Sequence, residues 1–86
     1  MITRQQAIDL VNKERDRQDE MWGYPQSNHP IEWVSILAEE FGEFAQAVNQ
    51  AMFGGDGDLT HALEEATEVA AVALAIVEHL TGEVIL

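Results

Sequence analysis

Residues 69–77 constrain the fold most, because they form the longest uncharged run in the C-terminal half and are apolar at every position. They belong to a stretch with helical spacing that predicts a helix from about residue 59 to about residue 80. A helix that is apolar on all sides must be buried on all sides, and an 86-residue chain offers it few neighbours. We therefore expect self-association through this helix, as a homodimer or a dimer of dimers that completes a four-helix-type core.

Two further stretches also place apolar residues three and four positions apart, which predicts helices and leaves no strand pattern. The first begins at Thr3, with Gln6 at capping-box spacing, and extends to about Trp22. Asp58 is expected to cap the last helix. The sequence thus predicts an all-α fold of three main helices in one domain covering residues 1–86, whose apolar end at residues 81–86 is expected to dock on a neighbouring subunit.

The middle helix is expected to begin at Pro30, with Asn28 or His29 at its cap, because proline favours the first helical turn. It is expected to stop at the glycine-rich residues 54–57. Its large apolar residues are spaced for one core-facing stripe. These residues are Val34, Leu37, Phe41, Phe44, Val48 and Met52.

The charge pattern restricts the possible partners. A net charge of −12 argues against binding to nucleic acid polymers or to anionic membranes, since both require clustered cations. The chain has no cysteine for a disulfide or a thiolate site, and no targeting or membrane-spanning segment is visible, so we expect a cytoplasmic protein. The basic side chains all lie near the N-terminus, and they are Arg4, Lys13, Arg15 and Arg17.

The acidic residues include two similar motifs on the second and third predicted helices. Residues 39–43 contain two adjacent glutamates followed by a third three positions later, and residues 64–68 repeat the arrangement. Side chains three apart are neighbours on a helix, so two antiparallel helices bring two such pairs together. The alternative is an ordinary solvated face. Against this, Glu40 and Glu43 are one position from the apolar stripe, and Glu65 and Glu68 border Ala62 and Val69.

A ligand set made only of carboxylate oxygens favours Mg²⁺ or Mn²⁺ over zinc. A di-iron bundle would place a histidine three residues after a glutamate, and no glutamate here has one. Without a cation, four converging carboxylates would repel one another. The spacing therefore predicts a divalent metal site that could also bind phosphate groups.

At these residues the sequence resembles the MazG-like nucleotide pyrophosphohydrolases, an all-α family with a Glu-Glu-x-x-Glu motif followed by Glu-x-x-Asp. The first half of the motif is present at Glu39, Glu40 and Glu43. The second half is present at Glu65, with Glu68 where the family more often has Asp. Residues 14–23 and 33–37 also resemble small phage-type members, although Met21 stands where that subgroup often has Lys.

The resemblance implies Mg²⁺-dependent hydrolysis of nucleoside triphosphates to the monophosphate and pyrophosphate, as in nucleotide-pool housecleaning. The implied metal ligands are Glu40, Glu43, Glu65 and Glu68. One of Glu39, Glu40 and Glu43 is expected to activate the attacking water, and the sequence does not choose between them. The candidate substrate-binding residues are Lys13, Arg15 and Arg17 for phosphate, and Trp33 and His29 from the region around the loop.

Each substrate-binding residue has a structural alternative. Trp33 stacks on a nucleobase or packs in the core, and His29 contacts ligand or caps the middle helix. His61 lies four residues before Glu65 and either approaches the metal or remains at the surface. Two other functions also remain open for the whole chain, a non-catalytic helical interaction module and a metal-binding bundle without nucleotide chemistry.

Overall fold

The computed structural model describes residues 1–84, and 81% of the model is helical. No strand occurs within these residues, so the prediction of an all-α fold is confirmed. Two short segments of other helix types follow the second and third α-helices. In chain order the elements are α1 (Arg4–Trp22), α2 (Pro30–Asn49), a π-helical turn (Gln50–Gly54), α3 (Thr60–Leu80) and a 3₁₀ turn (Thr81–Glu83).

Local side-chain hydrogen bonds determine where the helices begin. The Thr3 hydroxyl accepts from the Gln6 backbone N–H at 3.1 Å, and the Gln6 side chain accepts from the Thr3 backbone at 2.9 Å. His29 caps α2 in the same way with Glu32, directly before Pro30. Asp58 accepts from the backbone N–H of Thr60 at 2.9 Å and stabilises the start of α3. The predicted starts of α1 and α2 are therefore confirmed, whereas the cap position of α3 is Leu59, one residue after the predicted Asp58, and Leu59 makes no side-chain capping hydrogen bond.

Helix α3 is the centre of the bundle and packs against both α1 and α2. Its residues Ala71, Val72 and Ala75 are buried inside the single chain. Within residues 1–84, no helix combines the length and the apolar character needed to cross a membrane. The apolar run of α3 is thus partly covered within the chain, because three of its nine residues are buried and Val77 is 60% exposed.

The predicted core stripe of α2 is wrong in part. Trp33 and Ala47 are the buried residues of this helix, whereas Val34 and Phe41 are 67% and 58% exposed. The face that packs on α3 is rotated by about one residue from the predicted stripe. Helix α2 therefore has a second apolar face that the described chain leaves uncovered.

The C-terminal segment was predicted to dock on a neighbouring subunit. Its first residues form the 3₁₀ turn, and Val84 is exposed. Ile85 and Leu86, which end this segment, lie outside the described residues.

Candidate metal centre and the adjoining pocket

The packing of α2 on α3 brings the two glutamate pairs together. One carboxylate oxygen from each of Glu40, Glu43, Glu65 and Glu68 lies within 4.8 Å of the others. Glu40 and Glu43 come from α2, and Glu65 and Glu68 come from α3. The convergence predicted from the spacing is therefore present, and the four residues include the buried Glu65, so they are not a freely solvated face.

Two carboxylate oxygens of this cluster are buried without a hydrogen-bond partner among the described residues, Oε2 of Glu40 and Oε2 of Glu65. A buried charged oxygen without a partner is costly. Adjacent ligands of an octahedral Mg²⁺ are about 3 Å apart and opposite ligands about 4 Å, since the metal–oxygen distance is about 2.0–2.1 Å. The four carboxylate oxygens, within 4.8 Å of one another, would therefore draw closer around a small divalent cation, and their all-oxygen chemistry fits one.

The pKa values of two clustered glutamates, Glu40 and Glu68, are raised above the ordinary value of a glutamate. Partial burial raises the pKa of Glu40, and the neighbouring charges of Glu43 and Glu65 raise it further. Partial burial also raises the pKa of Glu68 to about 7, with further contributions from the hydrogen bond and the charge of Glu65. Without a cation, Glu68 is therefore still partly protonated near neutral pH.

This shift predicts a pH-dependent stability in the presence of EDTA. A carboxyl whose folded pKa is raised from 4.5 to about 7 contributes stability below pH 4.5, and the contribution is lost as the pH rises through about 7. Glu68→Gln has no titrating carboxyl at this position. The unfolding free energy of the wild type minus that of Glu68→Gln should therefore fall between pH 4.5 and 7 in chemical denaturation. If the difference in unfolding free energy between the two proteins did not change with pH, the raised pKa of Glu68 would be contradicted.

Arg17 is the cation closest to the glutamates. Its guanidinium pairs with Glu14 at 2.6 Å and lies 3.8 Å from Glu68. The side chain is about half exposed and lines a groove of about 730 Å³ between α1 and α3, together with Lys13. The structure therefore places two of the three predicted phosphate-binding cations in one groove, which also reaches Glu68.

Arg15 points elsewhere. Its side chain is only 5% exposed, forms ion pairs with Asp19 and Glu78, and lies 5.6 Å from the centre of the Tyr24 ring. Its Nε is buried without a hydrogen-bond partner among the described residues, and so little of the guanidinium is exposed that a phosphate group could not reach it without displacing the packing around it. The structure thus gives Arg15 the role of joining α1 to α3, and the predicted phosphate contact loses its support.

Arg15→Met tests this structural role. Removing one partner of a fully buried ion pair costs about 3–5 kcal/mol. Asp19 and Glu78 are 30% and 33% exposed and regain water, so a loss of about 2–3 kcal/mol in unfolding free energy is expected. Denaturant unfolding measures it, and Mg²⁺ binding should be unchanged. A variant of normal stability that fails to bind nucleotide would restore Arg15 to the ligand site.

A second cavity, of about 330 Å³, adjoins the glutamate cluster at Glu40. Trp33 is 3% exposed and forms one wall, and Trp22 forms another part of the lining. Trp33 is therefore packed in the core and also lines a cavity, while its stacking on a nucleobase stays a prediction. The polar part of the lining consists of Gln18, Gln26, Asn28, Glu39 and Glu40.

The amides of this pocket were missed by the sequence analysis. Gln18 is buried and donates to the backbone oxygen of Glu68 at 3.5 Å, and Asn28 donates to Gln26 at 2.9 Å. Their only signal was the unusually polar C-terminal half of α1 and the turn-rich loop. Glutamine and asparagine are so common on surfaces that their spacing alone does not indicate a pocket.

His79, near the end of α3, was not among the predicted site residues. Its Nε2 accepts from the Gln26 backbone N–H at 3.0 Å, so its Nδ1–H donates to the Ala75 oxygen at 2.7 Å. The ring lies 5.1 Å from the Trp33 ring and 5.6 Å from the Tyr24 ring, measured between centroids. This histidine therefore fixes the loop before α2 against the end of α3.

The remaining predicted residues have distinct positions. Glu39 lies on the rim of the second cavity and is not among the four clustered glutamates. His29 uses Nδ1 to accept from the Ile31 backbone N–H at 3.1 Å, so its observed role is helix capping. His61 is exposed, and its Nε2 lies 3.5 Å from Glu65 at the edge of the cluster.

Comparison of the chain with protein-family models, curated proteins and solved structures yields no match in any of the three. The family resemblance therefore rests on the glutamate motif and the neighbouring sequence.

Proposed function

We propose that this chain is a cytoplasmic, Mg²⁺-dependent nucleoside triphosphate pyrophosphohydrolase, for which Mn²⁺ can replace Mg²⁺. The observation that carries the proposal is the convergence of four glutamate oxygens within 4.8 Å, two of the residues having a buried oxygen without a hydrogen-bond partner within residues 1–84. A bound divalent cation would offset the charge of the triphosphate and lower the pKa of an attacking water. The acidic chain needs such a cation to accept an anionic substrate at this site.

The groove between α1 and α3 supports a phosphate-binding role. Arg17 and Lys13 line it together with five acidic residues, one of which is Glu68 of the cluster, so a phosphate group in this groove also needs the divalent cation. A guanidinium donates two parallel hydrogen bonds to phosphate oxygens, as it now does to the carboxylate of Glu14. In the proposed complex, Arg17 exchanges part of this pairing for the substrate, and Lys13 adds a second positive charge.

The second cavity supports recognition of the base. It combines an aromatic wall from Trp33 with the side-chain amides of Gln18 and Asn28, and it reaches the metal ligand Glu40. Aromatic rings stack on nucleobases, while amides donate to and accept from their edges. A nucleotide whose base occupies this cavity would have its phosphates beside the glutamate cluster.

Glu39 is the proposed general base. It lies at the rim of the cavity next to Glu40, yet it is not part of the four-carboxylate cluster, so its carboxylate is free to accept a proton. Glu43 remains a metal ligand in this assignment. The predicted involvement of Glu40 and Glu43 in catalysis is then limited to positioning the cation.

The test is release of pyrophosphate from a panel of ribo- and deoxynucleoside triphosphates with Mg²⁺, Mn²⁺ or EDTA. Pyrophosphate and monophosphate should appear together, only with a metal, and the panel should reveal the preferred base. Release of inorganic phosphate alone would contradict cleavage between the α and β phosphates. Intact Mg²⁺ binding with no turnover on any substrate would contradict the enzyme and favour the non-catalytic alternatives.

A further inference from the structure

The second cavity differs from the groove between α1 and α3 in its lining, which holds no Lys or Arg within the described part of the chain. Its polar side chains are the carboxylates of Glu39 and Glu40 and the amides of Gln18, Gln26 and Asn28. An ionised carboxylate only accepts hydrogen bonds, whereas an amide both donates and accepts them. The edge of a base that the cavity can recognise therefore depends on which groups of the three amides are left free.

Gln18 is a nearly buried amide whose direction is fixed by its neighbours, since only 3% of the residue is exposed. Its Nε2 lies 3.3 Å from Oε2 of Glu14 and 3.5 Å from the backbone oxygen of Glu68. The hydrogen bond from Arg17 lowers the pKa of Glu14, so this carboxylate stays ionised and only accepts. The reversed amide would set its oxygen against two other oxygens, so the N–H groups of Gln18 must point this way.

The oxygen of the same amide is free. Within residues 1–84, Oε1 of Gln18 accepts no hydrogen bond. Unlike Oε2 of Glu40, it is not sealed from solvent, so it borders open space, and the second cavity is a space that Gln18 lines. A ligand in the cavity would therefore meet a hydrogen-bond acceptor in a fixed position.

The other two amides can adapt to a ligand. Asn28 donates to Oε1 of Gln26 at 2.9 Å, and reversing both amides would keep a hydrogen bond between them. In either arrangement the pair retains free N–H groups and a free oxygen. Discrimination between bases in this cavity therefore depends on Gln18, whose neighbours allow one direction only.

We propose that Gln18 makes the second cavity selective for bases with an exocyclic amino group, such as cytosine and adenine. The amino group donates to Oε1 of Gln18, whereas the keto oxygen of uracil or hypoxanthine at the same place would face another acceptor. The inference rests on the proposed function, because it takes the cavity as the site of a nucleotide base, and it adds the class of base. Uracil and hypoxanthine are the deamination products of cytosine and adenine, so an enzyme with this preference acts on intact rather than deaminated nucleotides.

The expected selectivity follows from the burial of Gln18. A site built to pair with a polar group of its ligand strongly rejects the analogue that lacks this group, because the group of the protein is then left unpaired. The penalty for one buried unpaired acceptor corresponds to a difference of at least about 10-fold in affinity between an amino base and its keto counterpart.

Binding of nucleoside monophosphates measures this preference without relying on turnover. Isothermal titration calorimetry with Mg²⁺ compares two matched pairs, cytidine with uridine monophosphate and adenosine with inosine monophosphate. In the pair that binds more tightly, the amino member should bind at least about 10-fold better than the keto member. Equal affinities within that pair, a preference for the keto member or no binding of any of the four would overturn the proposal.

Gln18→Met tests the residue itself, because methionine has a similar length but neither an amide oxygen nor an N–H group. The advantage of the amino member should fall below about threefold in this variant. Gln5→Met makes the same replacement at an exposed position of the same helix, where the side chain bonds only to Asp9, and should keep the full preference. Unchanged selectivity in a helical Gln18→Met, or an equal loss in both variants, would overturn the role of Gln18.

The results also separate this inference from the enzymatic proposal. Preferential binding of the amino members without pyrophosphate release from any triphosphate would contradict the enzyme and support the selectivity of the cavity. Pyrophosphate release from the four corresponding triphosphates with similar kcat/KM would contradict the selectivity and leave the enzyme standing.

Discussion

Glu65→Gln is expected to lower pyrophosphate release by at least about 100-fold, although it replaces a single oxygen by nitrogen. Even the residues that only orient metal ligands change metal affinity or activity by about 10–100-fold when they are replaced. Glu65 is the most buried of the four clustered glutamates, and one of its oxygens has no partner among the described residues. Its amide would present an N–H group or a neutral oxygen to the cation instead of a charged one.

The neighbouring glutamate provides a matched control. Glu64 is one residue earlier on the same helix, its side chain is 67% exposed, and it lies outside the clustered set. Glu64 lines the groove between α1 and α3 but contributes no oxygen to the cluster. Glu64→Gln makes the identical chemical change and should lower turnover by no more than about threefold, as is usual for a surface substitution. Circular dichroism should show equal helicity in both variants. Full activity of Glu65→Gln would overturn the metal-ligand assignment.

The sequence predicted the features that depend on local chemistry. The capping pairs at Thr3 and His29 and the proline at the start of α2 are fixed by hydrogen bonds between residues two or three apart. The glutamate cluster follows from helical spacing once α2 and α3 pack against each other. For the same reason, four of the predicted site residues could be placed together before the fold was known.

Features that depend on which helix faces pack against each other could not be predicted in this way. Apolar residues recur at helical spacing on two faces of α2, so the spacing does not show which face is buried. In the structure Trp33 and Ala47 are buried, whereas Val34 and Phe41 are exposed. The burial of Arg15 depends on Glu78, which is far along the chain. Contacts of this kind leave no periodic signal in a single sequence.

The binding of Mg²⁺ is expected to raise the melting temperature by about 10–20 °C. A ligand at 100 times its dissociation constant stabilises the folded state by about 2.7 kcal/mol. In a domain of this size, each kcal/mol shifts the melting temperature by about 4–8 °C. The gain has a clear source, because the cation offsets the burial and the mutual repulsion that raise the pKa of Glu40 and Glu68. Thermal unfolding in EDTA, Mg²⁺ and Mn²⁺ measures it.

The net charge of −12 makes an ionic-strength control essential, since any salt screens general repulsion. NaCl at matched ionic strength should give a much smaller rise than Mg²⁺. Glu65→Gln should melt at a higher temperature than the wild type in EDTA, because one repelling charge is gone, and it should lose most of its response to Mg²⁺. An equal rise with NaCl, or an unchanged Mg²⁺ response in this variant, would mean that the four glutamates do not bind the cation as a unit. The carboxylate cluster would then be an acidic surface, and the pyrophosphohydrolase proposal would lose the observation on which it rests.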